Sequence, residues 1–305
     1  MQASPDSVAN PMPTISVLMP VFNAQKDLGQ AIESILNQSF SDFEFLIIDD
    51  GSTDQSSQIA ESFTDSRIRF LRNPKNLGLV PTLNRGLSEA RGKYIARMDA
   101  DDISEPLRFE SQVALLEKDR ADICGGLFRI IDTDGKVTGD VSVPFSTDEL
   151  VACLANTVPF AHGSVMMRSS FLRQHQLQYG PSPYAEDYDL WIRIFECGGR
   201  FANVPQIIFQ YRNYSSSLSK VLGGPYAKAS HELRRHFVQK NTQACKQALA
   251  SLIKNNSLTY TDQVNALFMA YLLWHQGGKL TSFLNALWHV SFKAKLHGLY
   301  RIKNA

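Results

Sequence analysis

Carboxylates gather in three short stretches of this 305-residue chain. The first holds Asp49, Asp50 and Asp54, the second Asp99, Asp101 and Asp102, and the third Glu186, Asp187 and Asp189. A single acidic turn says little, because acids cap helices and turns. Three such turns brought to one face would say more. The Asp-Ala-Asp at 99–101 has the type and spacing to engage a hard divalent cation, which prefers carboxylate oxygen and keeps positions open for phosphate oxygens. Glu186 and Asp187 suit another task, removal of a proton from a hydroxyl by a positioned carboxylate. Adjacent side chains on a helix diverge by about 100°, so only one of this pair should face a reaction centre.

These side chains need elements that place them. Residues 15–20 read as an apolar strand stopped by proline, and 43–48 as a second that runs into Asp49-Asp50-Gly51-Ser52-Thr53-Asp54. Between them Leu28, Ile32, Ile35 and Leu36 have helical spacing, with Asn23 as the expected cap. A helix follows at about 54–63. Residues 67–71 alternate as a short strand, 79–90 are helical, and 93–98 form a fourth strand ending at Asp99. This rhythm implies right-handed crossovers and a mainly parallel sheet. Ligands of such sheets bind beyond the carboxyl ends of the strands, where the first two acidic clusters fall. Downstream, strands are expected at 123–131, 136–143, 164–168 and 201–211. Helices are expected near 105–118, 146–155 and 185–197, the last opening on the third cluster. Beyond a boundary at 216–225 the pattern is purely helical.

Composition bounds the function. With 44% hydrophobic and 20% charged residues the chain is globular rather than disordered. The longest apolar run, 266–274, has nine residues, about half of what a membrane-spanning helix needs. The opening MQASPDSVANPMP has no basic segment and no apolar run, so a signal peptide is not expected and a cytoplasmic location is. Cys124, Cys153, Cys197 and Cys245 fit no zinc spacing and read as reduced core thiols. No Gly-x-Gly-x-x-Gly or Gly-x-Ser-x-Gly occurs, and 86–93 is one residue too long for a phosphate-binding loop. A nucleotidyltransferase would need a Gly-rich loop after the first strand, and Pro20-Val-Phe-Asn-Ala24 has none. His162 stands alone near a strand start and reads as a half-buried, hydrogen-bonded side chain.

Taken in order, the motifs resemble the family 2 glycosyltransferases, over about 14–214. Ser16-Val-Leu-Met-Pro-Val-Phe-Asn23 is similar to their first strand and nucleotide loop, and Phe45-Leu-Ile-Ile-Asp-Asp-Gly-Ser-Thr-Asp54 to their second strand and base-recognition turn. Asn76-Leu-Gly78, Asn84-Arg-Gly86 and Ala90-Arg-Gly-Lys-Tyr94 match the middle section. Met98-Asp-Ala-Asp-Asp102 looks like the metal motif, and Glu186-Asp-Tyr-Asp-Leu-Trp191 like the acceptor-side motif. The resemblance implies an α/β GT-A fold: a single Rossmann-like, mainly parallel mixed sheet flanked by helices, with a helical C-terminal extension. The catalytic domain would span 14–219, after a flexible N-terminus at 1–13.

The resemblance also implies roles. Pro20, Phe22 and Asn23 would form the nucleotide loop, with Phe22 against the base. Asp50 would accept a hydrogen bond from the imide N–H of uracil. Asp99 would touch the ribose or a metal-bound water. Across Ala100, Asp101 would bind the cation, Mn²⁺ or Mg²⁺, that bridges the diphosphate. Asp187 would be the general base of an inverting displacement, with Glu186 as second choice. The donor would be a nucleotide sugar, UDP-linked first of all, and the acceptor a glycan or lipid-linked hydroxyl in cell-surface polysaccharide synthesis such as lipopolysaccharide. Where the family often reads His-Pro-Ser this chain has Gly163 after His162, which loosens the expected loop. The Gln/Arg-x-x-Arg-Trp motif of processive synthases is absent, which points to transfer of one sugar. The alternative is a non-catalytic nucleotide-sugar-binding regulator, which would not need all three acidic clusters.

The region 220–305 lies outside the resemblance. It holds twelve Lys and Arg against two acids, a net +10 that leaves −9 on the first 219 residues. No nucleic-acid motif accompanies this charge, so no such partner is expected. Trp274, Trp288, Phe292 and Tyr300 stand among Lys279, Lys293, Lys295 and Arg301. Two readings follow, packing on the catalytic domain and peripheral docking on the anionic inner leaflet of a membrane.

Overall fold

Two apolar runs form strands β1 (Ile15–Val21) and β2 (Phe43–Asp49), which lie parallel with Ile15 opposite Phe43 and Val21 opposite Asp49. Both are buried on both faces, as a sheet covered by helices requires, so they read as continuous rather than alternating apolar segments. The computed structural model describes residues 12–118, 121–180, 184–214, 223–255, 258–291, 294–295 and 299. Between and after the two strands come α1 (Leu28–Leu36), α2 (Ser56–Ser62), β3 (Ile68–Arg72), α3 (Leu79–Glu89) and β4 (Tyr94–Arg97). Then follow β5 (Ile103–Ser104), α4 (Arg108–Lys118), β6 (Ile123–Ile131), β7 (Val137–Val141) and α5 (Thr147–Leu154). A 3₁₀ turn at His162–Ser164, β8 (Met166–Arg168), α6 (Ser169–Gln174), α7 (Glu186–Glu196) and β9 (Phe201–Arg212) complete the sheet-bearing part of the chain.

The strands make one sheet in the order β3-β2-β1-β4-β8-β6-β9-β5, with β7 paired to β6. The first four are parallel. β8 is antiparallel to β4 and β6, β9 is parallel to β6, and β5 is antiparallel to β9. Successive residues of the central strands enter opposite cores. Leu18, Leu46, Ile48 and Ile95 face one side, against Leu83 of α3, the residues of α5, and Leu190, Trp191 and Ile194 of α7. Val17, Met19, Phe45, Ile47 and Ala96 face the other, against Ala31, Ile32 and Ile35 of α1 and Phe109 of α4. In α1 this spacing of three and four residues makes one apolar stripe.

The C-terminal region is helical: α8 (Gly223–Lys240), α9 (Thr242–Lys254), α10 (Tyr260–His275) and α11 (Leu280–His289). Phe237, Leu249, Leu267, Phe268 and Leu272 join the same core as α5 and α7. Each such side chain stabilises by about 1.5–3 kcal/mol on burial. The run 266–274 is thus a core helix, and no helix among the described residues is long and apolar enough to cross a membrane. Trp274, partly buried, stacks on Phe283 at 5.4 Å within this bundle. Most of the expected boundary at 216–225, with Phe292, Lys293, Tyr300 and Arg301, lies outside the described residues, as does the Trp288 side chain.

Candidate active site

Strands β2, β1 and β4 are neighbours in one parallel block, so their carboxyl ends share an edge. At about 4.8 Å per strand, the ends of β2 and β4 stand on the order of 10 Å apart. Pro20 lies in β1 opposite Ile48 and is partly exposed. Phe22 follows the strand and is 47% exposed, a large ring held open to solvent at the sheet edge. Asn23 is not a helix cap. The helix starts five residues later, after Asp27. Asn23 instead has φ +50°, a left-handed conformation that Asn tolerates, and its Oδ1 accepts hydrogen bonds from Thr53 N (2.9 Å) and Thr53 Oγ1 (3.3 Å). That ties the first loop to the turn after β2.

The first acidic cluster divides by role. Asp49 accepts from Ser52 N (3.0 Å) and Ser57 Oγ (2.6 Å) and pairs with Arg72 (3.2 Å), so it holds the turn. Asp54 accepts from Gln25 N and Ser56 N and ties the same two loops. Asp50 is buried. Its Oδ1 accepts from Asn73 Nδ2 (2.6 Å) and Leu77 N (2.9 Å), and its Oδ2 from Gly78 N (2.9 Å). A carboxylate offers about four acceptor sites, so one remains at Oδ2.

The second cluster follows β4. Asp99 forms an ion pair with Arg97 Nη1. A Cβ added at Gly163 would come within 2.7 Å of Asp99 Oδ2 and 2.5 Å of Phe209. The proline that the family often carries here would collide, so Gly163 fits the loop closely and does not loosen it as expected. Ala100 is buried. Asp101 is partly exposed, and its carboxyl is pushed up to about 6 by burial and by the Asp99 charge. Asp102 is fully buried and turned inward. Its Oδ1 accepts from Arg212 N (2.6 Å), and burial with the neighbouring charges raises its carboxyl well above the usual range. Arg212 Nε also donates to the Asp101 carbonyl (2.8 Å), which stitches the end of β9 to this loop.

The third cluster opens α7. Glu186 is pushed up to about 7 by burial and by Asp187, and burial likewise raises Asp187. Asp189 is different, because Arg193 one turn on donates to its Oδ2 at 2.7 and 2.9 Å. His162 is half-buried beside this helix start, as expected from the sequence. Its Nε2 lies 3.0 Å from Tyr179 Oη and its Nδ1 4.0 Å from Glu186 Oε1, and its ring meets Trp191 edge-on. Burial and the charge of Arg97 push its pKa well down, so it stays neutral. Arg97 and Asp99 act electrostatically on both Glu186 and Asp187. The turn at 162–163 brings the second and third clusters together, with Gly163 against Asp99 Oδ2 and His162 Nδ1 4.0 Å from Glu186.

A hard cation fits this arrangement in one way. Among the described residues no three His, Cys, Asp or Glu side chains converge to hold a metal by themselves. Asp99 gives Oδ1 to Arg97. Asp101, partly exposed at the end of the loop, would then be the principal oxygen ligand of a bound cation. One or two carboxylates completed by diphosphate oxygens is the usual donor set for Mg²⁺.

Several residues escaped the sequence reading. Arg97 sits in the otherwise apolar Tyr94-Ile-Ala-Arg97, and a charge in a buried strand was the available signal. Tyr179, Arg212 and the contact made by Gly163 had no local signal, because their partners are distant in sequence.

Comparison with known proteins agrees with this geometry. Residues 16–175, just over half of the chain, match the sequence profile of glycosyl transferase family 2. EpsE of Bacillus subtilis (strain 168) is 36% identical over 216 residues, covering 69% of this chain and 77% of EpsE. The O-antigen biosynthesis glycosyltransferase WbnJ of Escherichia coli is 32% identical over 232 residues, covering 75% of this chain and 90% of WbnJ. Among solved structures, S. aureus TarS 1–349 in complex with UDP is similar with a TM-score of 0.56 at 15% identity, covering 88% of this chain and 89% of that one. The fold is that of the GT-A enzymes. The chain belongs to glycosyl transferase family 2 and is a glycosyltransferase with relatives in polysaccharide biosynthesis.

Proposed function

We propose that the enzyme moves one sugar from a UDP-sugar to a hydroxyl of a glycan or lipid-linked acceptor, with inversion, assisted by Mn²⁺ or Mg²⁺, in the assembly of a cell-surface polysaccharide. The observation that carries this reading is the neighbouring of Asp99 and Glu186 at the 162–163 turn, where Gly163 packs against Asp99 Oδ2 and His162 Nδ1 lies 4.0 Å from Glu186 Oε1. Phe22 offers an exposed ring to the nucleobase. The open lone pair of Asp50 Oδ2 accepts the imide N–H, while Asn73, Leu77 and Gly78 fix the carboxylate's direction. Asp101 holds the cation, with Asp99 as its neighbour at the ribose. When bound, that cation offsets the charge that builds on the departing diphosphate.

On the opposite side Asp187 takes the proton of the attacking hydroxyl. Two adjacent half-buried carboxyls resist double ionisation, which pushes both upward, Glu186 to about 7. Membrane association enters the proposal through the C-terminal helices. Leu284 is 52% exposed on α11, within the region 220–305 of net +10. Lys and Arg near an anionic surface each contribute about 1 kcal/mol, enough together for reversible attachment. The mechanism is tested by NMR of the glycosidic product. An α-linked UDP-sugar should give a β-linked product, and an α-linked product would rule out single displacement.

A further inference from the structure

Helix α3 touches both halves of this site. It is seated on the sheet without slack: a Cβ at Gly86 would come within 1.9 Å of Leu18 Cδ1 on β1. Two of its neighbouring side chains then reach in different directions. Arg85 Nη1 donates to the Arg72 carbonyl (2.9 Å) and to Asn73 Oδ1 (2.5 Å). Asn73 Nδ2 in turn donates to Thr82 Oγ1 (2.9 Å) on the same helix and to Asp50 Oδ1 (2.6 Å). Thr82 and Arg85, three residues apart, share one helix face. The Asn73 amide is thus gripped from α3 at both ends and delivers the grip to Asp50.

Asn84 points about 100° away from Arg85. Its amide pairs with a backbone, as a strand would. Nδ2 donates to the Tyr179 carbonyl (3.0 Å), and Oδ1 accepts from Tyr179 N (2.9 Å). Tyr179 lies in an irregular segment with no ladder of its own, and its side chain is buried. Its hydroxyl meets His162 Nε2, whose other nitrogen faces Glu186.

We infer that α3 is the common anchor of the donor and acceptor halves, with Arg85 a positioning residue for Asp50 and Asn84 a positioning residue for the Tyr179–His162 wall beside the base. This rests on the proposed UDP-sugar transfer. It divides the labour of two adjacent residues between two kinetic parameters. Fixing the acceptor and base in register affects the chemical step, whereas fixing Asp50 affects nucleotide binding.

The test is steady-state transfer kinetics together with calorimetric UDP binding in Mn²⁺. Asn84→Ala and the milder Tyr179→Phe should lower kcat by about tenfold or more while UDP affinity stays within about twofold. Arg85→Met should weaken UDP binding by about tenfold with kcat within about threefold. Asn84→Asp keeps the acceptor for Tyr179 N but loses the donor, and should fall between Ala and wild type. Wild-type UDP affinity in the Asn84 variant reports that the donor half is folded. Tyr179→Phe removes one oxygen only and keeps the test open if Asn84→Ala does not fold. The inference is overturned if Asn84 and Arg85 variants move the same parameter, or if Tyr179→Phe leaves kcat unchanged. A wild type that neither binds UDP nor transfers sugar would instead remove the underlying reading.

Discussion

Arg97 Nη1 is ion-paired with Asp99 Oδ1, and only 2% of the arginine side chain reaches solvent. A buried charge survives only when paired, and here the surrounding groups are Asp99, Asp101, Asp102, Glu186 and Asp187. Arg97 is thus the positive centre of an acidic site. Arg97→Met should destabilise the fold by about 1.5–3 kcal/mol, because Asp99, 30% exposed, loses its charged partner. Urea denaturation measures this, and a loss under about 1 kcal/mol would show that the pair is not structural.

The pH profile reports the base. Burial raises the Asp187 carboxyl, so its protonated form persists to higher pH than an ordinary aspartate's. Only the carboxylate accepts a proton, so kcat/KM should fall as pH drops through a midpoint above the usual aspartate range. Asp187→Asn should lower turnover by roughly 10²–10⁴, and Glu186→Gln should keep most of it. A midpoint near 7 that vanishes in Glu186→Gln, with Asp187→Asn active, would transfer the role to Glu186.

Gly163→Ala places a methyl 2.5 Å from Phe209 and 2.7 Å from Asp99 Oδ2. Overpacking of this kind costs about 1–3 kcal/mol. The loss should appear in thermal unfolding, together with reduced donor binding through the displaced Asp99. An unperturbed melting temperature would mean that the loop yields freely.

The sequence made the alternation of strand and helix plain, because β1 and β2 are unbroken apolar runs and α1 carries one apolar stripe. The acidic turns at their ends were legible for the same reason. The helix expected at 146–155 is α5, and the structure adds a capping box of Ser146 and Glu149 at its start. The two-residue β5 was not legible, since it exists only by pairing with β9. Nor was the division of the Asp99–Asp102 cluster. Asp102 serves Arg212, 110 residues away, and nothing local separates it from Asp101. Asn23 misled because Asn is favoured both at caps and in left-handed turns, and here the Thr53 contact selects the turn.

Membrane docking should be electrostatic if it occurs through the +10 region. Co-sedimentation with vesicles rich in anionic lipid should exceed that with neutral vesicles and decline with salt. Replacing Lys293, Lys295, Arg301 and Lys303 by Gln should reduce it. Equal partition onto both vesicle types would contradict the electrostatic account.

The central claim is that Asp101 joins a divalent cation to a nucleoside diphosphate. Titration calorimetry of UDP with and without Mn²⁺, on wild type and Asp101→Ala, tests it most directly. The account predicts that Mn²⁺ strengthens UDP binding to the wild type by about tenfold or more and leaves the variant's weaker binding unchanged. Equal UDP affinity in wild type and variant, or no response of the wild type to Mn²⁺, would contradict it.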